Sequence, residues 1–244
     1  MFSIVKNYKI FFSITIIFLL IGFGSIVTRG FNLGIDFTGG SIVDLTFENP
    51  VNVAQVRDVL KEHDMGNSII QLENSDGKTE ANSVLIRTGV VEDTELRATM
   101  NDLQSKLGNY QIQRVEQVGA TIGSELVQQA AMAIVLSWVL MIAYITFRFE
   151  FKFAIAAIIA LIIDVLVVLS YFSLFQMEMD SSFVAALLTV VGYSVNGTIV
   201  IFDRIRENTH THKRTDTFAD LANASITQSI HRSFYTLATV MFAC

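Results

Sequence analysis

The chain has 244 residues, 52% of them hydrophobic and 16% charged, with a formal net charge of −6. That apolar share and a positive mean hydropathy argue against an ordinary soluble domain, and the acidic balance gives no support to a basic surface for nucleic acid. The single cysteine, Cys244, excludes an intrachain disulfide and supports no thiol metal site or nucleophile.

The charges are placed unevenly along the chain. Residues 10–28, 126–147 and 181–202 carry none, and 153–177 carries only Asp164. A helix needs about 20 apolar residues to cross the hydrocarbon layer, so membrane spans are predicted at 10–28, 126–147, 153–177 and 183–202. Residues 1–9 hold Lys6 and Lys9 and are placed in the cytosol by the positive-inside rule. The first span is too long for a signal-peptide core and lacks a small-x-small cleavage site, so it reads as an uncleaved anchor. The loop 148–152, with Arg148 and Lys152, and the segment 203–226, with Arg204, Arg206, Lys213 and Arg214, then fall on the cytosolic side. Residues 29–125 and the turn 178–182 fall outside. The acidity is concentrated there, since residues 29–128 hold 8 basic and 15 acidic residues. Tyr8, Phe147, Phe151 and Phe153 suit an interfacial aromatic belt.

Residues 41–118 read as a small domain. Strands are predicted at 41–48, where apolar and polar residues alternate and Pro50 follows, and at 68–74, 82–88 and 110–118. Helices are predicted at 51–64, with Asn52 as N-cap and Val53, Val56 and Leu60 on one side, and at 92–107, with Leu96, Met100, Leu103 and Leu107 in one stripe. The residues 75–78, SDGK, carry turn chemistry. The order β-α-β-β-α-β is that of a ferredoxin-like unit. The fold class is therefore a polytopic α-helical membrane protein with a small extracytoplasmic α+β domain. Gly119 and Gly123 provide a compliant joint back to the membrane. Residues 207–231 are partly helical and amphipathic, and 227–244 begin a fifth span. Only 12 residues follow Arg232, which at about 1.5 Å each do not cross the layer, so the sequence reads as cut inside that helix.

Several polar residues stand where lipid-facing helices do not need them. Gly192, Asn196, Ile199 and Asp203 follow at spacings of three or four and share a face. So do Ser225, Gln228, Arg232, Thr236 and Thr239. Asp164 lies mid-span, where a charge costs about 2.5–3.5 kcal/mol on insertion scales. It stays protonated, pairs with a cation such as Arg232, or takes part in an ion path; a helix-packing hydrogen bond is the plainer reading. For Arg232 the plainer reading is snorkelling to the interface, and for Asp203, Arg204, Arg206 and Glu207 a solvated face with weak internal pairs. Gly192 and Gly197 allow a neighbouring helix to come close. Asp36, in LGIDFTGG (33–40), caps or binds a neighbouring amide, and Gly39 and Gly40 permit positive φ or close backbone approach. A phosphate loop is disfavoured because a strand follows and no lysine is in place. His63, His210, His212 and His231 show no metal-ligand pattern, and no enzymatic motif is present.

GYSVNGTIVIFDRIREN (192–208) closely resembles the fourth-helix motif of the SecF family of bacterial protein-export membrane proteins, a branch of the resistance-nodulation-division superfamily. LGIDFTGG, with Gly34, Asp36, Gly39 and Gly40, matches that family after its first span, and SITQSIHRS (225–233) resembles the entry to its fifth helix. The resemblance implies six spans, partnership with SecD and the SecYEG channel, and use of the proton or sodium motive force to promote export of a preprotein, with no cofactor and no enzymatic step. It implies a hinge at LGIDFTGG and a role for Arg232 in proton movement. The family commonly places an acid after the Asn that Asn196 matches. Gly197 stands there instead and cannot titrate. The acid in the third span usually follows a His, and here Ile163 precedes Asp164. The alternative is an exporter of small molecules or lipids from the same superfamily, which the shortness of the outer domain disfavours.

Overall fold

The computed structural model describes residues 4–73, 79–149, 151–211 and 217–243. The turn read at 75–78 lies outside them apart from its flanks, as do His212, Lys213, Arg214 and Cys244. The chain forms two units. One, helical, gathers the residues up to Asn32 with Ala133–Met177 and those from Ser182 onward; the other, containing a sheet, holds Leu33–Met132 and Glu178–Ser181.

In chain order the elements are α1 (Tyr8–Arg29), β1 (Asn32–Leu33), α2 (Ile35–Thr38), β2 (Gly40–Asn52), α3 (Val53–Glu62), β3 (Ile69–Glu73), β4 (Glu80–Thr88), α4 (Asp93–Leu107) and β5 (Tyr110–Val118). There follow α5 (Ala120–Arg148), α6 (Phe151–Phe175), β6 (Glu178–Met179), α7 (Ser181–Thr211) and α8 (Phe218–Ala243).

The sheet unit is built on four antiparallel strands in the order β3-β4-β2-β5. Strand alternation sends Val43, Leu45 and Phe47 of β2 and Val84 and Ile86 of β4 into one core with Val56 and Leu60 of α3 and Leu96 and Leu103 of α4. Met100, Leu107 and Tyr110 close its rim, and the Phe47 and Tyr110 rings meet edge-on at 5.4 Å. The start of α3 is a reciprocal capping box: the Asn52 side chain accepts from the Gln55 N–H at 2.9 Å, and the Gln55 side chain accepts from the Asn52 N–H at 3.0 Å.

Pro50 does not end its strand. β2 runs through it to Asn52, with its register against β4 shifting between Thr46 and Val51. Proline lacks the ladder donor, and an irregularity of this kind is where a strand tolerates it. Asn82 fills part of the gap by donating to the Phe47 and Glu48 carbonyls at 3.0 and 3.2 Å.

LGIDFTGG forms a packed turn in which Gly39 and Gly40 take the positive φ and close backbone approach expected of them. α2 is one helical turn, after which Gly39 (φ 70°) and Gly40 (φ 134°) lead into β2. A Cβ on Gly40 would lie 2.4 Å from the Thr88 carbonyl oxygen, and one on Gly39 would lie 2.8 Å from Val90. Gly123 of the second expected joint also packs here, against the backbone of Asp36, Phe37 and Gly39. Gly119 has open space beside it. The Glu178–Ser181 turn is held to this segment. The Gly34 N–H donates to the Met179 carbonyl at 2.7 Å, and the Asp36 carboxylate accepts from the Ser181 N–H and hydroxyl at 2.8 and 2.6 Å. Arg87 forms an ion pair with Glu178.

Four helices among the described residues are long and apolar enough to cross a membrane: α1, α5, α6 and Ser181–His210 of α7. In the helical unit α1 and α6 touch most closely. A Cβ on Gly22 would fall 2.1 Å from Ser170 Cβ. One turn on, the Ser25 hydroxyl lies 3.0 Å from that of Ser173, which donates to the Gly30 carbonyl at 2.9 Å. Small residues let two backbones approach, and their hydroxyls then hydrogen-bond across the seam. Phe149, Phe153 and Phe202 form a ring cluster near one end of α6, with the last two 4.8 Å apart. α8 runs unbroken from Phe218 to Ala243, through the boundary read at 226/227.

Candidate functional site

A cleft of about 780 Å³ opens in the helical unit between α6, α7 and α8. Its walls are mainly apolar, with Val167 and Val168 from α6, Ala186, Val190 and Val200 from α7, and Leu237 and Val240 from α8. Against them stand Asp164, Asn196, Gly197 and Arg232, one or two from each helix. These four lie 32 or more residues apart except for the adjacent pair on α7, so only helix packing brings them to one wall.

Asp164 and Arg232 share this cleft, but no ion pair joins them among the described residues. The Asp164 carboxylate instead accepts a hydrogen bond from the Ser194 hydroxyl of α7. Ser194 was not singled out in the sequence because it lies two residues from Asn196 and off the row Gly192–Asn196–Ile199–Asp203. The available signal was a hydroxyl inside an apolar span, a weak one on its own. Arg232 is exposed along the cleft.

The two polar rows divide. On α7, Asn196 reaches the cleft, whereas Asp203 lies 3.7 Å from Arg148 at the end of α5. Among the described residues, Gly192 and Gly197 have no atom within 4 Å of a built Cβ. The tight glycine is Gly22, on a different helix. On α8, Arg232 and Thr236 line the cleft. Ser225 and Gln228, lower on the same row, tie α8 to the end of α7. Asn208 Nδ2 donates to Ser225 Oγ at 2.8 Å and to Gln228 Oε1 at 3.1 Å, and Arg204 Nε donates to Gln228 Oε1 at 2.6 Å. Arg204 also pairs with Glu207 within α7, and Arg206 is exposed. Further along α8, Asn223 Oδ1 accepts from the Ile4 N–H at 2.8 Å.

Of the histidines, His63 binds Asp102 across α3 and α4 at 2.8 Å. Among the described residues no group of three or more His, Cys, Asp or Glu side chains could hold a metal. The cleft therefore offers one carboxylate, one guanidinium, an amide and hydroxyls in an apolar setting. That set suits holding and releasing a proton or small cation and supplies no nucleophile–base pair.

The family model described as "Protein export membrane protein SecD/SecF, C-terminal" matches residues 99–244, and that described as "SecD/SecF GG Motif" matches residues 24–51. The chain is 61% identical over 243 residues to the protein translocase subunit SecF of Acidaminococcus fermentans, covering 99% of this chain and 83% of that protein. It is 41% identical to the SecF of Sebaldella termitidis, covering 99% and 78%. Among solved structures it resembles SecDF, a translocon-associated membrane protein from Thermus thermophilus, with a TM-score of 0.80 and 32% identity. That match covers 96% of this chain but 31% of the SecDF chain, so this chain spans under a third of its length. With both family models placed and these relatives matched over 99% of this chain, the chain belongs to the SecF family of protein translocase subunits.

Proposed function

We propose that this subunit acts with SecD, beside the SecYEG channel of a bacterial plasma membrane, to draw on the proton or sodium motive force and promote export of a preprotein. In this reading the N-terminus is cytosolic, and residues 29–125 form an extracytoplasmic, ferredoxin-like domain. Asp164, Asn196 and Arg232 form the ion-responsive face within the membrane. The observation that carries the reading is that these three, from three helices and far apart in sequence, line one cleft. An ionisable residue within a span is costly unless it has work or partners. A change of charge in the cleft would bias two arrangements of α6, α7 and α8. Gly197 carries no titrating group, and the acid on this cleft is Asp164. The subunit is accessory and performs no bond-making step.

The experiment is export into inverted membrane vesicles carrying the full-length subunit with SecD. Arg232→Ala should slow export at least several-fold under an imposed gradient while SecD still co-purifies. Unchanged export would count against the ion-responsive face.

A further inference from the structure

The cleft offers several hydroxyls to its surroundings, and they behave differently. Thr189 and Thr236, on its walls, turn back and donate to carbonyls of their own helices, Ala185 at 2.8 Å and Arg232 at 2.9 Å. That is the ordinary resting place of a hydroxyl inside a helix. Ser194 reaches from α7 to α6 and donates to Asp164.

We propose that Ser194 is the positioning residue for Asp164, and that the Asp164–Ser194 pair is where this cleft takes up and gives back a proton. The inference rests on the proposed function and goes beyond it by naming the partner of the titrating acid. A cation beside a carboxylate holds it ionised. A hydroxyl does not, because it both donates and accepts. With Asp164 ionised, Ser194 donates to it. With Asp164 protonated, the new carboxylic O–H donates to Ser194 Oγ, and the serine hydrogen turns to the carbonyl four residues back, that of Val190. The step balances simply: a hydronium in the cleft loses one O–H bond and leaves as water, and Asp164 gains that O–H bond with no change of oxidation state. Both protonation states are satisfied without parting α6 from α7.

The other titratable or charged groups on the cleft are Tyr193 of α7 and Arg232 of α8. α1 and α5 bring no charged side chain between Lys9 and Arg29 or between Glu125 and Arg148. Among the described residues, Asp164 is the only carboxylate lining the cleft.

The test uses the full-length subunit with SecD in membranes and reads the carboxylic C=O stretch by difference infrared spectroscopy against pH. One titrating band is expected to vanish in Asp164→Asn. Because the bond to the charged carboxylate is the stronger of the two, Ser194→Ala should displace its midpoint by about one pH unit, a roughly tenfold change in proton affinity, and Ser194→Thr, which keeps the hydroxyl, should restore it. An S194A midpoint equal to that of the unmodified protein overturns the assignment, and so does an S194T midpoint displaced as far as that of S194A. If no band is lost in D164N, Asp164 is not the proton site. Slowed export in Arg232→Ala with an unmoved S194A midpoint sustains the proposed function and refutes this pairing. Unchanged export with a displaced midpoint does the reverse.

Discussion

In the sheet unit Leu45, Val56 and Val84 are fully buried, and the polar groups around them are served locally. Asn52 and Gln55 cap α3, and Arg57 donates to the Gly66 and Ser68 carbonyls at 2.8 and 3.2 Å. In the helical unit Leu136, Val139 and Leu140 of α5 are more than half exposed, and the charged and amide groups of the cleft line an open space. The contrast follows from two solvents. Water drives apolar side chains into a sealed core. Hydrocarbon gives a leucine nothing to escape from, so helices there are held by close small-residue contacts and interhelical hydrogen bonds. Packing energy is therefore spread through the first unit and concentrated at a few seams in the second.

Truncating Leu45 is the strongest way to test that division. Leu45→Ala should cost about 2–5 kcal/mol, seen as lost hydrogen-exchange protection along β2 and β4 with α1 and α6 unaffected. Leu140→Ala, the same change at a side chain 61% exposed, should leave protection unaltered throughout. Equal losses at both sites would break the comparison. A smaller effect separates two glycines of the helical unit. Gly22→Val would force atoms into Ser170 and should lower stability by about 1–3 kcal/mol, read as a lower thermal midpoint in detergent. Gly197→Ala enters open space and should leave the midpoint unchanged or raise it, because alanine is the better helix former by up to about 1 kcal/mol.

Much of the sheet unit was legible because its signals are local and periodic. The alternation in 41–48 and the helical spacing of Leu96 and Leu103 each point to a face, and both faces enter the same core. Asn52 announces its helix with a side chain that needs no distant partner. The run through Pro50 was not legible, since proline there is decided by which β4 residues lie opposite. The membrane spans were legible from charge spacing alone. Their contacts were not: a hydrophobic run all round a helix does not say which side meets a neighbour. Gly22 was overlooked for that reason, as only the position of α6 reveals its contact with Ser170. At the cleft, spacing identified Asp164, Asn196 and Arg232 singly. The bond from Ser194 to Asp164 spans 30 residues and two helices, and no pattern within either helix encodes it.

The smallest expected effect probes the rim of the sheet unit's core. Tyr110 donates its hydroxyl to the Met100 carbonyl at 2.8 Å, and burial raises its pKa above the ordinary phenol value. The folded state therefore holds this proton more tightly than the unfolded chain. Stability is unaffected by the group below about pH 10, and it falls as pH rises through the unfolded value toward the folded one. Lysine side chains in general lose charge over a similar range, so a fall in stability alone is ambiguous. Tyr110 is the only tyrosine between Arg29 and Gln128, which makes the difference between the protein and Tyr110→Phe specific. At neutral pH, Y110F should be less stable by about 0.5–1.5 kcal/mol through the lost hydrogen bond. Above pH 10 the gap should narrow, because only the unmodified protein has a phenol left to ionise. A gap constant with pH would mean that the rim is as wet as the strand edge beside it, and that the sealed core ends at Phe47.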